Sequence, residues 1–584
     1  MVLFKRLIAA SPLLPGIAAQ SGGGERVWAA VAFINHGERV PIASNLRTVL
    51  TPEGAQQLLR QGTAFRARYV PDGVDGSDYE DIQTAYLQNL NADVINNDDL
   101  DVISQDDEWV SAGAMAFMQG FYPPVTDAYD NSTGGEEIAI NLASSANRTE
   151  YPLDGYQYPV IKTPSNFDLD STSIQGNARC TAWYSEVTSN MTQNEILGNL
   201  YESTLPFYRR LFSTPPLAGT IEIDLANLWN AYGLWEFVDY QYRHNETVHE
   251  GLNNATETLE LLNTYALSVE RAQNSYLDSQ GDDDPLDVIY SIAGRLLAHK
   301  VTSQFRNTIR WDSAFDKLTL IFGSIEPIVS FISLSGLLTP ENINEEPFRY
   351  LPEPGAALVF ELHGENPDQP DQQPPLDSLR VKMSYRASTD PNEPFTNWPL
   401  FSSGPDGIAY SRFMEIMNEM GRSPYQWCGI CGPSPAPAPW CVIPDSDDDN
   451  SIWDDSSSIA PAIAGVIGAA IMLGLIVFVI LGLFLLGGFR LRRKEPAEEP
   501  HDTGAAGGFK GPEKKDGDAD VVVTKQGVHH ERIGSWELRS PNDLPQTSGI
   551  VTKDLGSPRR RSLDDSDDDI SVIGAAPVKA RESV

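Results

Sequence analysis

The residue types best suited to chemistry stand together in the segment Phe33-Ile34-Asn35-His36-Gly37-Glu38-Arg39-Val40-Pro41. An apolar run from Val27 to Ile34 leads into it and predicts a buried strand, and its glycine and proline predict a turn. Histidine changes charge near neutral pH, and arginine binds anions. Ligands of open α/β sheets bind at the carboxyl ends of strands. His36 and Arg39 are therefore well placed for chemistry.

Strand-like and helix-like patterns alternate around this segment, which predicts an α/β fold. Leu50 to Gly54 opens a helix, with Thr51 as its N-cap and Pro52 at the first helical position. The run Asp101 to Ser104 is typical of a strand end, and Val110 to Phe121 of a helix made of small and apolar residues.

The middle of the chain, from about residue 185 to 300, changes to helical spacing. The predicted helices are Glu195 to Leu211, Leu225 to Tyr242, Ala255 to Tyr276 and Leu286 to Val301. Strand patterns then return at Lys317 to Phe322, Ala357 to Leu362 and Leu379 to Tyr385. The sequence therefore predicts a doubly wound α/β core with a helical cap domain inserted between its two halves.

Several stretches resemble one known family. The segment at His36 is similar to the Arg-His-Gly-x-Arg-x-Pro signature of the histidine acid phosphatases, the branch of the histidine phosphatase superfamily that includes phytases. Similar blocks follow in the family's order: Leu50 to Gly54 with Gln57, Arg66-x-Arg68-Tyr69, Ser104 to Pro124, and Leu318 to Leu337. The resemblance covers most of residues 25 to 425. It implies a phosphoglycerate-mutase-like core, His36 as the phosphorus-attacking nucleophile and Arg39 as a phosphate ligand.

The other catalytic positions of that family are degenerate here. Asn35 replaces the signature's first arginine, and Trp109 aligns with another phosphate-binding arginine. Ser324 and Ile325 align with the family's His-Asp pair. One oriented donor is worth about 100- to 1,000-fold in rate and a general acid about 100- to 10,000-fold. Asn35 offers a neutral hydrogen bond and no charge, so we expect a poor catalyst.

Substitute residues are available for two of the lost roles. Glu326 follows the missing aspartate position, where it would serve as a proton donor or accept backbone amides at a helix start. Arg148 lies in a Ser-rich block similar to the family's Ser-plus-Arg-Thr block. His36 itself has a second interpretation, that of a relic in an old pocket. His363 is expected to end a strand, and we interpret the His501-Asp502 pair as a chance match.

Two apolar segments predict a single-pass membrane protein. Residues 1–19 read as a signal peptide, with Lys5 and Arg6 before an apolar run. Residues 459–489 contain no charged residue and exceed the roughly 20 residues that a membrane helix needs. The basic cluster that follows places residues 490–584, an expected disordered tail, in the cytosol. The ectodomain would be residues 20–431, and the Pro-rich, acidic stretch 432–458 a stalk.

Sequons and cysteines agree with an outer or lumenal ectodomain. All sequons precede the apolar segment: Asn131, Asn147, Asn190, Asn245 and Asn254. The four cysteines are Cys180, Cys428, Cys431 and Cys441. In an oxidising compartment they predict disulfides, with the pairing left open, and we expect no metal or cofactor.

Charge and tail composition limit the partners. The net charge of −39 argues against nucleic acid and anionic lipid surfaces. Ser562, after three arginines, is a candidate kinase site, although a solubilising tail explains the composition as well. Small residues from Ala464 to Ala469 permit close packing of two membrane helices and leave dimerisation open.

Three functions are compatible with these features. The one we favour is a membrane-anchored pseudophosphatase glycoprotein, with weak or no activity and possible binding of an anionic ligand at Arg39, His36 and Asn35. The alternative is an active acid phosphatase that forms a phosphohistidine at His36, with Glu326 or Arg148 in substitute roles. The third is a surface glycoprotein without a small ligand.

Overall fold

A computed structural model describes most of residues 25–441, together with residues 521–524 and 527–530. The gaps within the first range are residues 72, 75–76, 125–138, 146–147, 150, 276–284, 340–341, 366–371, 405 and 433–437. The chain divides into two compact units, Met1–Asp454 and Asp455–Val584. The predicted signal peptide, most of the stalk and the apolar segment 459–489 lie outside the described residues. None of the described helices has the length and apolarity needed to cross a membrane.

Eight strands of the first unit form one mixed sheet in the order β3-β2-β4-β1-β5-β6-β7, with β8 also paired to β6. Their bounds are β1 Arg26–Asn35, β2 Leu100–Ser104, β3 Ile161–Lys162, β4 Leu318–Gly323, β5 Ala357–Gly364, β6 Arg380–Arg386, β7 Thr396–Trp398 and β8 Ile408–Ala409. The pairs from β3 to β1 are parallel, and those from β1 to β8 are antiparallel. The predicted strands at Val27, Asp101, Lys317, Ala357 and Leu379 are confirmed.

Helices cover both faces of the sheet because the central strand is apolar on both sides. Ala32 and Ile34 of β1 pack against α1 (Pro52–Tyr69) and α2 (Glu108–Phe121). Val31 and Phe33 pack on the opposite face, against α10 (Ile292–Arg310), α11 (Glu326–Leu334) and α12 (Tyr410–Met420). This three-layer arrangement confirms the predicted α/β class. Two further helices are short: α3 (Pro152–Gly155) follows α2 in the sequence, and α13 (Pro424–Cys431) follows α12.

The inserted helices have a hydrophobic core of their own. They are α4 Thr181–Gln193, α5 Glu195–Ser213, α6 Ala231–His244, α7 Glu246–Gly251, α8 Ala255–Asn274 and α9 Pro285–Tyr290. The expected boundary near residue 300 falls inside α10, which contributes Leu297, Val301 and Phe305 to the sheet core rather than to the cap. The packing change lies between α9 and α10, so the cap ends near Tyr290.

The second unit departs from the expected disordered tail in one place. Val521–Thr524 and Gly527–His530 form two antiparallel strands, with Gly527 opposite Thr524. Three consecutive valines, with their high β propensity, favour the first strand.

The predicted disulfides form; one joins parts of the chain 251 residues apart, and the other spans 13 residues. Cys180 bonds Cys431, and Cys428 bonds Cys441. The indole nitrogen of Trp427 also donates to the Gly176 carbonyl oxygen at 2.7 Å. Together these bonds fix α13 to the beginning of the cap.

A buried ion network connects α1 to the sheet. The Arg68 guanidinium donates to both carboxylate oxygens of Glu361 on β5, at 2.6 and 2.8 Å. The Tyr69 hydroxyl and the His363 ring also bond this carboxylate, at 2.7 and 3.0 Å. Burial alone would raise the pKa of Glu361, but Arg68 and His363 lower it below its usual range. The Arg68-Tyr69 motif is therefore a structural anchor.

Replacing Glu361 by glutamine is expected to destabilise the protein strongly, because Arg68 would keep its buried charge without a counter-ion. The expected loss in the free energy of unfolding is about 3–5 kcal/mol. Denaturant unfolding measures it, with Glu415→Gln as the matched control. Glu415 pairs with Arg412 on the surface, so that loss should be at most about 1 kcal/mol. Equal losses in both variants would contradict a structural role for the buried network.

Candidate active site

The carboxyl ends of three parallel strands meet at one edge of the sheet. Asn35 of β1 lies opposite Gly323 of β4, and Ser104 of β2 lies opposite Phe322. The His36 amide donates to the Gly323 carbonyl oxygen at 2.9 Å. This is the edge at which α/β sheets bind ligands, and the sequence placed His36 there.

The first motif, the segment from Asn35 to Pro41, is held against the beginning of α1. Gly37 and Gly54 contact each other so closely that a Cβ on either would collide with backbone. The Glu38 amide donates to Gln57 Oε1 at 2.8 Å, and Thr51 Oγ1 caps the helix by accepting from the Gly54 amide at 3.0 Å. Thr51, Gly54 and Gln57, which belong to a segment similar to the family's, therefore position the loop that carries His36.

His36 keeps the geometry of a nucleophile. Its Nδ1 lies 2.8 Å from the Gly37 carbonyl oxygen. Because a carbonyl oxygen only accepts, Nδ1 carries the proton and Nε2 carries the lone pair. Burial, with a contribution from the Arg39 charge, lowers the pKa of His36 to about 3. The imidazole is therefore neutral at physiological pH, and its Nε2 has no partner among the described residues.

Arg39 is already paired with a carboxylate of the cap. Its Nε donates to Glu236 Oε1 at 2.7 Å and its Nη2 to Oε2 at 3.4 Å. The Trp109 ring lies against the guanidinium, 5.0 Å from ring centroid to Cζ. Burial opposes the charged form, but Glu236 outweighs it and the pKa of Arg39 is raised. A phosphate would have to displace Glu236 to reach this cation.

Helix α6 contacts the first motif a second time, two helical turns beyond Glu236. Glu38 Oε1 accepts from Thr51 Oγ1 at 2.7 Å and pairs with His244 Nε2 at 2.8 Å. Arg243 Nη1 lies 3.6 Å from Glu38 Oε2. Sequence reasoning missed Glu236 and His244. The predicted helix Leu225 to Tyr242 contains Glu236 but ends before His244, and nothing in its sequence indicated the loop as a partner.

Asn35 does not present its donors to the site. Its Nδ2 donates to the carbonyl oxygens of Pro352 and Glu353, at 3.3 and 2.9 Å. Both amide hydrogens are therefore used, and its Oδ1 has no partner in the described part of the chain. This corrects the expectation that Asn35 donates to a phosphate oxygen.

The cavity between the loop and the cap is small. Its lining includes Asn35, His36, Gly37, Glu38, Arg39, Tyr232, Trp235, Glu236, Asp239, Tyr240, Pro352 and Pro354. Its volume of about 30 Å³ holds about two water molecules.

The other positions that align with catalytic residues of the resembling family are not among the residues that line this cavity. Trp109 stacks on Arg39, as described above. The Ser324 hydroxyl donates to Gln105 Oε1 at 3.4 Å. Ile325 is buried and packs into the core of the cap. None of these side chains performs the work of the arginine, histidine or aspartate in the resembling family.

The proton-donor candidate Glu326 has a carboxyl neighbour that the sequence did not reveal. Glu326 is the first residue of α11, and burial raises the pKa of its carboxyl. Glu270 on α8 has its pKa raised to about 8 by burial and by the Glu326 charge. Asn274 Nδ2 donates to Glu270 Oε2 at 3.1 Å. The Glu326 carboxylate accepts a hydrogen bond from the backbone amide of the same residue. This bond favours the ionised form, as expected for a carboxylate at the start of a helix.

The remaining sequence candidates lie elsewhere. Arg148 forms an isolated bridge with Ile140 and does not line the cavity. Asn245 is exposed and caps α7, Asn254 is exposed with a φ of 49°, and Asn190 is half-buried. Asn131, Asn147 and His501 lie outside the described residues. Among the described residues, no group of three or more metal-ligating side chains is arranged to hold an ion.

The Glu270 carboxyl predicts a pH dependence of stability. A carboxyl whose folded pKa is raised stabilises fully below its unfolded pKa of 4.5, and this contribution is lost as pH rises through about 8. Glu270→Gln removes the ionisable group, so the variant does not lose this stability as the pH rises. The variant should match wild type near pH 4 and exceed it by about 1–3 kcal/mol near pH 8.

Urea unfolding across this pH range tests the expectation. The control is Glu260→Gln, an exposed position on the same helix. A gain at alkaline pH in both variants would show a general effect of net charge instead of a specific effect of the Glu270–Glu326 pair.

Comparisons with known proteins place these features in context. The family model described as "Histidine phosphatase superfamily (branch 2)" matches residues 37–384. A search of curated proteins finds no significant match. Among solved structures, Hafnia alvei phytase with tartrate has 13% identity and a TM-score of 0.42, covering 69% of this chain and 98% of its own. For D. castellii phytase the values are 16%, 0.42, 71% and 84%. For Bifidobacterium longum multiple inositol polyphosphate phosphatase with inositol hexasulfate they are 13%, 0.33, 68% and 91%.

Proposed function

Because the chain belongs to the histidine phosphatase superfamily (branch 2), we propose that it is a pseudophosphatase: a domain of this family with little or no phosphomonoesterase activity. The observation that carries the proposal is the ion pair between Arg39 and Glu236. Phosphoryl transfer needs positive charge around the equatorial oxygens of phosphorus. Here the cation beside His36 is neutralised by a carboxylate of the protein itself.

The environment of His36 adds to this argument. Trp109, Ser324 and Asn35 supply no positive charge, and a phosphate entering the cavity would meet Glu38, Glu236 and Asp239. Like charges at such distances repel strongly when water is excluded. A neutral, well-oriented imidazole is therefore retained in surroundings that oppose its anionic substrate.

A second candidate is an acid phosphatase with a rearranged site. Two observations favour it: the Nε2 lone pair of His36 is available, and the raised pKa of Glu326 keeps a proton near the site in mildly acidic solution. In this version the cap would open, and phosphate would replace Glu236 on Arg39.

Phosphatase assays on an aryl phosphate from about pH 3 to 8 distinguish the two candidates, since the general acid must be protonated at the working pH. We expect wild type and His36→Ala to be equally inactive, and Glu236→Gln to show no turnover that depends on His36. Glu202→Gln, an exposed carboxylate on α5 outside the cavity lining, is the matched control. Turnover in wild type that disappears in His36→Ala and falls in Glu326→Gln would establish the rearranged enzyme instead.

For the location, we propose a type I membrane glycoprotein with the described α/β domain outside the cytosol. The uncharged segment 459–489, the basic residues after it and the disulfides support this proposal. Treatment with an N-glycosidase should reduce the apparent mass, and Asn245→Gln should remove part of that shift. Protease added to intact cells should spare an epitope placed in residues 490–584. Cleavage of that epitope would contradict the topology.

A further inference from the structure

We propose that the cavity beneath α6 binds a primary ammonium group, supplied by a small amine or by the charged end of a longer one. The proposal rests on the proposed function in one respect, the loss of the phosphate site at Arg39. It assigns to the same cavity a ligand of opposite charge.

The first support is the charge of the lining. Glu38, Glu236 and Asp239 contribute three carboxylates against the single guanidinium of Arg39, a balance of −2 (+1 − 3). Arg243, which bonds Asp239 at 2.8 Å, compensates weakly because 44% of its side chain is exposed to water. His244 faces Glu38 from the same side.

Further carboxyls of the cap and the core are shifted towards their protonated forms by burial. Burial raises the pKa of Asp239 and of Glu353, which lies between the two lining prolines. Glu326 and Glu270 also have raised pKa values, as described above. A cation bound beside them would favour their ionised forms and offset the effect of burial.

The second support is independent of charge. His36 Nε2 and Asn35 Oδ1 belong to residues of 5% and 3% exposure, and neither atom has a partner among the described residues. Both atoms act only as acceptors here, since Nδ1 of His36 and Nδ2 of Asn35 are the donors of their side chains. Glu38 Oε2 likewise accepts no hydrogen bond within the described residues. A buried acceptor without a hydrogen bond destabilises the folded protein, and a donor from a bound ligand removes this cost. An ammonium group has three N–H donors.

The walls and the size of the cavity narrow the ligand class. Tyr232, Trp235 and Tyr240 provide aromatic rings, which attract cations. The volume of about 30 Å³ accommodates an ammonium head but not a trimethylammonium group, which is several times larger than a water molecule. The wider depression, open solvent included, is about 420 Å³ and accommodates the stem of a longer amine.

The test uses the purified full-length chain and four probes at matched ionic strength: methylammonium, ethylammonium, tetramethylammonium and inorganic phosphate. Calorimetric titration and the shift in melting temperature report binding. We expect saturable binding of the two primary ammonium ions and none of tetramethylammonium or phosphate. Asp239→Asn should weaken ammonium binding about fivefold, the effect of one partly exposed charge pair. The exposed control Glu202→Gln should leave binding unchanged.

Glu236→Gln provides a sharper outcome. It removes a lining carboxylate and releases Arg39, so ammonium binding should fall and phosphate binding should appear. If a variant fails to fold, the four probes on wild type still decide the matter.

Absence of saturable ammonium binding to wild type would overturn this proposal, and the pseudophosphatase assignment would stand if turnover is also absent. Equal binding of tetramethylammonium would overturn the role of the buried acceptors. Phosphate binding to wild type with His36-dependent turnover would overturn the proposed function itself.

Discussion

The ion pair between Arg39 and Glu236 is the constraint on which the character of the site depends. Arg39 is the one cation lining the described cavity, and a carboxylate bound in two places is the closest protein equivalent of a bound phosphate. The pair fixes α6 over the loop, and the contact of His244 with Glu38 fixes it again two turns later. Both contacts arise from consecutive loop residues, so the cap and the first motif form one closed unit.

The site combines a neutral imidazole with carboxylates that the cap contributes. His36 has its tautomer set by a backbone carbonyl, which depends on local geometry alone and survives changes in neighbouring side chains. The electrostatic complement of a phosphate depends instead on side chains from several elements. Asn35, Trp109 and Ser324 supply no positive charge, while Glu236 and Asp239 bring negative charge from the cap.

The scaffold is independent of these changes. The Arg68–Glu361 network, the close contact of Gly37 with Gly54 and the bond from the Glu38 amide to Gln57 hold the strand, the loop and α1 in register. These contacts are made by residues in the segments that resemble the family, among them Gly54, Gln57 and Arg68. These three residues do not line the cavity, and they affect it only through the loop that they support. These structural contacts account for part of the family pattern that is recognisable in residues 37–384.

The sequence by itself determined the elements of the fold and the location of the site. Apolar runs with β-branched residues specify buried strands, Thr51 and Pro52 specify a helix start, and the resemblance specifies their order, because these signals are local. The sequence also placed His36 at a strand end. Only the tertiary structure decided that Glu236, far along the chain, pairs with Arg39 and that Glu270 lies near Glu326. Such long-range pairings depend on how the cap packs against the core, and no periodicity or motif in a single sequence encodes that packing.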